Sequence, residues 1–280
     1  MKTSIQPNPS LTIYQFNQAL VHYNLSCFNV KFNLEEYFDI CFPNLGFVTL
    51  NFTSGENFHQ SFPENDIQDS INSHIYTSGL LSTKPFISRQ IGNGELNGLK
   101  MHPVVAYHLL REPMVNITDK RIALCDIFGR SWRVLNVLEN EQNINSFQDK
   151  PLSKFIINHL PCWIKLQQDP IYHAVNIIIK NKGLIKVREL ARRVCLTERS
   201  LNRKFTTEVG LSPKAYAKIW QWQYVAELLY IEPSISLQDL AFKTGYYDIS
   251  HLIHDYKVRT GKTPNEFQKQ INFLIESYIE

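Results

Sequence analysis

A chain of 280 residues has room for about two domains, and its 44 % hydrophobic content supplies packed cores, which excludes disorder of the whole. It contains no apolar stretch of about 18 residues and its first ten residues are polar, so a helical membrane span and a signal-peptide core are excluded and a cytoplasmic protein is expected. The formal charge of +3 is unevenly placed: residues 170–280 carry 16 Lys and Arg against 11 Asp and Glu, upstream residues 13 against 15, and residues 171–213 nine against three, a bias toward phosphate.

In chain order, residues 28–32 and 47–52 alternate apolar and polar side chains, and residues 86–91 form a third strand-like piece. Residues 53–57 and Gly92-Asn93-Gly94 read as turns between them. This predicts an antiparallel sheet or small barrel. Helical periodicity follows in residues 104–110 and 122–138. Residues 1–150 are therefore expected to form an α+β regulatory domain. Phe28, Phe32, Tyr37, Phe38, Phe42, Phe47, Phe52 and Phe86 read as its sheet core in preference to a pocket lining, and no feature selects a ligand class. Cys27, Cys41, Cys125, Cys162 and Cys195 are odd in number and form no C-x-x-C pair, the pattern of reduced thiols.

Residues 151–168 carry an apolar stripe of Leu152, Phe155, Ile156, Leu160, Trp163 and Ile164, interrupted by Pro161. It is expected to be an interdomain linker, with a dimer contact as the other reading.

The remainder says nearly the same thing twice. Val187, Leu190, Ala191, Thr197, Leu201, Phe205, Gly210, Pro213 and Tyr216 recur as Leu237, Leu240, Ala241, Asp248, Leu252, Tyr256, Gly261, Pro264 and Phe267. The offset is 50 for the first three and 51 for the last six, so one residue is inserted in the turn of the second copy. Within each copy the apolar residues lie three and four apart, the spacing of one helical face. Thr197 and Asp248 are expected N-caps, and Gly210 and Gly261 supply left-handed stops. Two helices joined by a tight turn form a helix-turn-helix, whose second helix can enter the DNA major groove. Asp169-Pro170, Ser212-Pro213 and Thr263-Pro264 each pair a capping residue with proline at the first helical position. Pro213 opens a long run through Ala215, Ile219, Trp222, Val225, Ala226 and Leu229 that Pro233 bounds, predicting a rigid spacer helix.

Residues 187–267 resemble the DNA-binding domain of the AraC/XylS transcription regulators, two helix-turn-helix units bridged by one long helix. The segment Arg199-Ser200-Leu201-Asn202-Arg203-Lys204-Phe205, Gly210-Leu211-Ser212-Pro213, the run from Gly245-Tyr246 to Lys257 and Gly261-Lys262-Thr263-Pro264 look like its signature. Leu99-Lys100-Met101-His102-Pro103 and Leu124-Cys125-Asp126-Ile127-Phe128-Gly129 are similar to the N-terminal domain of one branch whose effector is uncharacterised. The resemblance implies an N-terminal sheet or cupin-like barrel plus helices, followed at 169–280 by an all-α DNA-binding domain with units at 187–210 and 237–261. It implies duplex operator or promoter DNA and RNA polymerase as partners. Activation is the family tendency, although no residue here separates activator from repressor, and a small-molecule effector and a homodimer stay open. Gln221 departs from the family, which usually has Arg there, so packing of Trp222, with Trp220 beside it, is expected to hold the spacer.

With Leu201 and Phe205 inside, a rotation of about 100° per residue carries Arg199, Asn202, Arg203 and Thr206 to the outer face, with Lys204 beside them. Around Leu252 and Tyr256 the corresponding set is Ser250, His251, His254 and Lys257, flanked by Ile253. His254 stands where arginine is common in the family, so the second helix is expected to read bases more weakly. His251 and His254 have the i, i+3 spacing of metal ligands, but Asp248 and Asp255 do not complete a ligand set. No G-x-S-x-G or P-loop string occurs, so no enzyme, cofactor or metal is expected. Two other readings stand beside this one: a DNA-repair methyltransferase fused to a similar domain, for which Cys27, Cys41, Cys125 and Cys162 are too scattered, and a DNA-binding protein without sequence preference.

Overall fold

The computed structural model describes residues 10–15, 25–42, 46–55, 59–61, 75–82, 86–129, 163–260 and 263–268. The second half of the predicted 122–138 helix, the stripe residues Leu152, Phe155, Ile156, Leu160 and Pro161, Cys162 and Gly261 lie outside the described residues, as do the side chains of Phe32, Tyr37, Phe38, Phe42, Phe86, Cys27 and Cys41.

Among the described residues seven strands form one sheet, β1 (Ser10–Gln15), β2 (Ser26–Phe42), β3 (Val48–Ser54), β4 (His59–Ser61), β5 (Ile75–Ser78), β6 (Phe86–Met101) and β7 (Arg121–Ala123), with alternating hydrophobicity clearest in β3. All pairings are antiparallel, in the order β1-β2-β6-β3-β5-β7, with β4 also on β6. The predicted strand pieces at 28–32, 47–52 and 86–91 each fall in one of these strands. Strands β2 and β6 form the spine, in register from Ser26 opposite Lys100 to Phe42 opposite Phe86, with an irregularity between Leu34 and Phe38. Phe28 stands opposite Gly98, and its ring fills the space that a side chain at Gly98 would occupy.

Two expectations are corrected here. Gly92-Asn93-Gly94 is not a turn: it runs through the middle of β6, with Leu34, Asn33 and Phe32 as partners. Gly92 takes a left-handed φ of +95° within the strand, and the strand passes so near Gly55 that a Cβ on Gly55 would sit 2.2 Å from the Asn93 carbonyl oxygen. Ile122 is not helical either, because pairing with Thr77 places it in β7 and the helix begins only at Leu124.

The helices are α1 (Pro103–Leu110), α2 (Leu124–Phe128), α3 (Trp163–Gln167), α4 (Pro170–Lys180), α5 (Val187–Arg193), α6 (Glu198–Val209), α7 (Pro213–Ile231), α8 (Leu237–Lys243), α9 (Ile249–Thr260) and α10 (Pro264–Gln268). All three Ser/Thr/Asp-Pro starts act as expected. Asp169 accepts from the Ile171 and Tyr172 amides, Ser212 from Ala215, and Thr263 from Glu266.

Buried side chains separate into two cores. The larger runs from the sheet (Leu50, Phe52, Leu99, Met101) through α1 and α4 to Leu190, Leu201, Phe205, Tyr216 and Ile219. The smaller holds Trp222, Val225, Leu229, Leu240, Tyr246, Leu252 and Tyr256. Helix α7 belongs to both, and the cores divide between Ile219 and Trp222. Three contacts tie the sheet side to α6 and α7: Tyr216 Oη donates to the Gly46 carbonyl at 2.8 Å, Thr118 Oγ1 to the Gly210 carbonyl at 3.1 Å, and Phe47 meets Trp220 edge-on at 5.5 Å. His102 accepts the Val104 amide at Nδ1 and packs on Tyr172 at 4.4 Å, and burial lowers its pKa to about 3 against the pull of Asp169, so it is neutral.

An ionisable cluster lies at the same junction. Asp169 faces His108 of α1 at 3.7 Å. Burial, then the negative charge of Asp169, push Glu208 of α6 up to about 7, while Lys204 and His108 oppose the rise. Its Oε2 is buried without a hydrogen-bond partner among the described residues, and a side-chain hydrogen bond with Asp169 adds to the rise. A carboxyl whose folded pKa exceeds its unfolded value holds extra protons in the native state, so its contribution is intact below the ordinary value of 4.5 and is lost as pH rises through about 7. Glu208→Gln should therefore be more stable than the parent at pH 8 and show a flatter stability profile between pH 5 and 8, measured by denaturant unfolding; parallel profiles would contradict this placement.

A second prediction concerns Gly183, in the loop between α4 and α5 at φ +76°. A Cβ there would lie 2.0 Å from the Ala217 carbonyl oxygen and 2.7 Å from the Gln221 nitrogen. Both are backbone atoms of α7, which cannot swing aside as a side chain would. The left-handed conformation alone costs about 1–2 kcal/mol for a non-glycine residue. Gly183→Ala should lower unfolding free energy by at least about 2 kcal/mol once the clash is added; an unchanged denaturation midpoint would show that the loop does not seat on α7.

Candidate nucleic-acid interface

The first unit is α5, a turn and α6. Helix α5 buries Leu190 and Ala191 and ends where the Leu196 amide bonds to the Ala191 carbonyl at 2.9 Å, with Cys195 in the left-handed region at φ 56°. Thr197 Oγ1 then accepts the Ser200 amide at 3.1 Å and starts α6. Leu201 and Phe205 are fully buried, each stabilising the packed state by roughly 1.5–3 kcal/mol, and this fixes which face of α6 turns outward.

That outer face carries Arg199, Asn202 and Arg203, all exposed, with Thr206 half-buried at its edge. Asn202 Nδ2 donates to the Glu198 carbonyl at 2.8 Å, so reaching a base would mean releasing a bond within its own helix. Lys204 is exposed on the flank, where its charge favours ionisation of Glu208. Helix α6 meets the sheet side through Glu208 and Gly210 at its C-terminal end, which leaves the Arg199–Arg203 face open. Lys186, Arg188 and Arg192, exposed on and just before α5, add cations beyond the residues expected from the sequence; their signal there is the excess of Lys and Arg in residues 171–213.

The second unit repeats the construction. The Tyr246 amide bonds to the Ala241 carbonyl at 2.9 Å, Gly245 takes the left-handed place of Cys195 at φ 71°, and Asp248 Oδ1 accepts the His251 amide at 2.7 Å as Thr197 does for Ser200. Leu252 and Tyr256 are buried, with the Trp222 ring 5.9 Å from Tyr256. Ser250, His251, His254 and Lys257 are exposed, and the His251 ring meets Tyr246 edge-on at 5.4 Å. The carboxylates near the two histidines are engaged elsewhere: Asp248 caps α9, and Asp255 accepts from Tyr246 Oη at 2.7 Å and faces Lys218 at 3.7 Å. Among the described residues no group of three or more His, Cys, Asp and Glu could hold a metal ion.

Two exposed aromatics of this unit likewise lie beyond the residues expected from the sequence. Phe242 is 85 % exposed and stands where the first unit has Arg192; Tyr247 is 94 % exposed and directly precedes Asp248.

Helix α7 spaces the units. Gln221 is buried and its Nε2 donates to the Thr244 carbonyl at 2.7 Å, joining the spacer to the end of α8 without a charge. Trp222 lies in the smaller core and Trp220 is half-buried against Phe47, so packing holds the spacer as the sequence predicts. The two units thus sit at opposite ends of one helix, each with a capped second helix whose buried side is apolar.

Residues 190–270 match a family described as a helix-turn-helix domain. No curated protein sequence matches the chain. Among solved structures it is similar to ToxT from Vibrio cholerae O395 (11 % identity, 95 % of this chain and 98 % of that one, TM-score 0.46). It is also similar to the C-terminal domain of AraT, a response regulator from Geobacillus stearothermophilus (19 %, 36 % and 84 %, 0.34), and to a DNA-binding transcriptional dual regulator from Escherichia coli K-12 (20 %, 37 % and 92 %, 0.33). The matched family is a DNA-binding one and not a catalytic one. At residues 190–270 this chain carries an AraC-type helix-turn-helix domain, the DNA-binding module of transcription regulators, behind an N-terminal region of antiparallel sheet and helices.

Proposed function

We propose that the chain is a cytoplasmic, sequence-specific regulator of transcription that reads two successive major grooves with α6 and α9 and is controlled through its N-terminal region. The observation that carries this reading is the exposed Arg199-Asn202-Arg203 face of α6, held outward by the buried Leu201 and Phe205. Arginine can bond guanine bidentately and Asn adenine, whereas phosphate contacts position the protein without reading sequence. Residues 1–150 are the control element, 151–168 the linker and 169–280 the DNA-binding part. The Gly46–Tyr216 and Thr118–Gly210 bonds are the route by which the control element would act on the first unit. An effector shifts that arrangement only if it binds its two forms with different affinity, and typical couplings are about 1–3 kcal/mol. Activation through RNA polymerase and action as a homodimer are part of the proposal. None of the described helices is long and apolar enough to cross a membrane.

The sites are obtained by selecting bound fragments from the source genome with the full chain. On a selected fragment, Arg203→Ala should reduce the preference over random duplex by about 5- to 150-fold, the equivalent of one good base contact. An equal loss on both duplexes would make Arg203 a phosphate contact only.

The two units should also contribute unequally. Replacing Ser250, His251 and His254 together by Ala should cost less affinity for the selected fragment than replacing Arg199 and Arg203, because the second face carries Lys257 as its one standing charge among the four candidates. The reverse order would contradict the assignment of the first unit as the main reader.

A further inference from the structure

The second turn is one residue longer than the first, and the backbone bonds identify which residue is extra. Cys195 and Gly245 hold the same left-handed place, and Leu196 and Tyr246 make the same bond back to Ala191 and Ala241. Thr197 and Asp248 cap the amide three residues on in Ser200 and His251. Everything aligns except Tyr247, which has no counterpart. Its neighbour Tyr246 is buried, stacked under Lys218 at 4.6 Å and bonded to Asp255. Tyr247 is turned the other way, with 94 % of its surface in water.

An aromatic residue held this far out has no role in the fold of the unit, and its position is at the N-terminal end of α9. In helix-turn-helix proteins the N-terminal residues of the second helix approach the DNA, which places the turn before α9 beside the duplex backbone. The unit is also short of cations where the first has them: Ser250 replaces Arg199, His254 replaces Arg203 and Phe242 replaces Arg192. A neutral hydroxyl can supply what those charges do not, since tyrosine is among the side chains that donate to phosphate oxygens.

We propose that Tyr247 is the backbone clamp of the second unit, its hydroxyl donating to a phosphate of duplex DNA at the edge of the groove that α9 enters. The inference rests on the reading of α9 as a groove helix. The contact adds affinity evenly across sequences and fixes the register of α9, while adding no counterion release. Phe242 lies on the helix preceding the same turn and is not needed for the clamp.

The test uses the full chain and a duplex that the parent protein selects from a randomised pool, with a scrambled duplex beside it. Tyr247→Phe and Tyr247→Ala should each weaken binding to both duplexes by about tenfold, the low end for a hydrogen bond to a charged group. The slope of log affinity against log salt should stay that of the parent for Tyr247→Phe, whereas Lys257→Ala should reduce it by about one if that lysine meets a phosphate. Ethylation interference supplies a readout that a structural role would not move: one phosphate whose ethylation blocks the parent should lose its effect in Tyr247→Phe. Unchanged affinity and an unchanged interference pattern in Tyr247→Phe would overturn the clamp, as would a loss in Tyr247→Ala that Tyr247→Phe restores. Failure of the parent itself to select any sequence would instead overturn the proposed function, and the clamp with it.

Discussion

One helix, Pro213 to Ile231, is packed into two cores at once, and the arrangement of the two helix-turn-helix units depends on it. Its first half, with Tyr216 and Ile219, closes the core that begins in the sheet; its second half, from Trp222 on, closes the core of the second unit. Between them Gln221 is the buried polar joint. A charged residue at that position would need a partner charge, whereas the amide satisfies the Thr244 carbonyl at 2.7 Å without one. The distance and twist between α6 and α9 are then properties of a continuous helix, which is stiff, rather than of a loop.

The two units are consequently supported to different degrees. The first is embedded in a core shared with the sheet and stitched to it at Gly46 and Gly210. The second hangs from the far half of α7, held by its own small core and by the polar contacts Gln221–Thr244 and Lys218–Asp255. Opening free energy follows the amount of apolar contact an element makes, so the second unit is the more readily displaced. The two outer faces differ in the same sense: the more embedded unit exposes Arg199 and Arg203, and the other exposes Ser250, His251, His254 and Lys257.

Much of this was legible in the sequence because the signals were local. The repeat with its offset changing from 50 to 51, the caps at Asp169, Thr197, Ser212 and Asp248, and the burial of Leu201, Phe205, Leu252 and Tyr256 follow from spacing within a few residues. Two kinds of feature were not. Gly92-Asn93-Gly94 has turn composition, yet it pairs inside β6 with Leu34, Asn33 and Phe32 and lies against Gly55, neighbours set by the fold and not by the adjacent residues. The union of the first unit with the sheet rests on contacts separated by 170 and 92 residues, Tyr216 with Gly46 and Thr118 with Gly210, and nothing in either segment announces its partner. The inserted residue of the second turn could be counted from the sequence, but whether Tyr246 or Tyr247 faced water needed the structure.

In the function proposed, one chain presents two unequal reading helices at a spacing fixed by α7. Hydroxyl-radical footprinting of the full chain on a selected genomic fragment should then show two protected groove segments centred about 10 base pairs apart on one face of the duplex, the stronger belonging to α6 and lost with Arg199 and Arg203. A single protected segment, unchanged when residues 237–268 are removed, would contradict it.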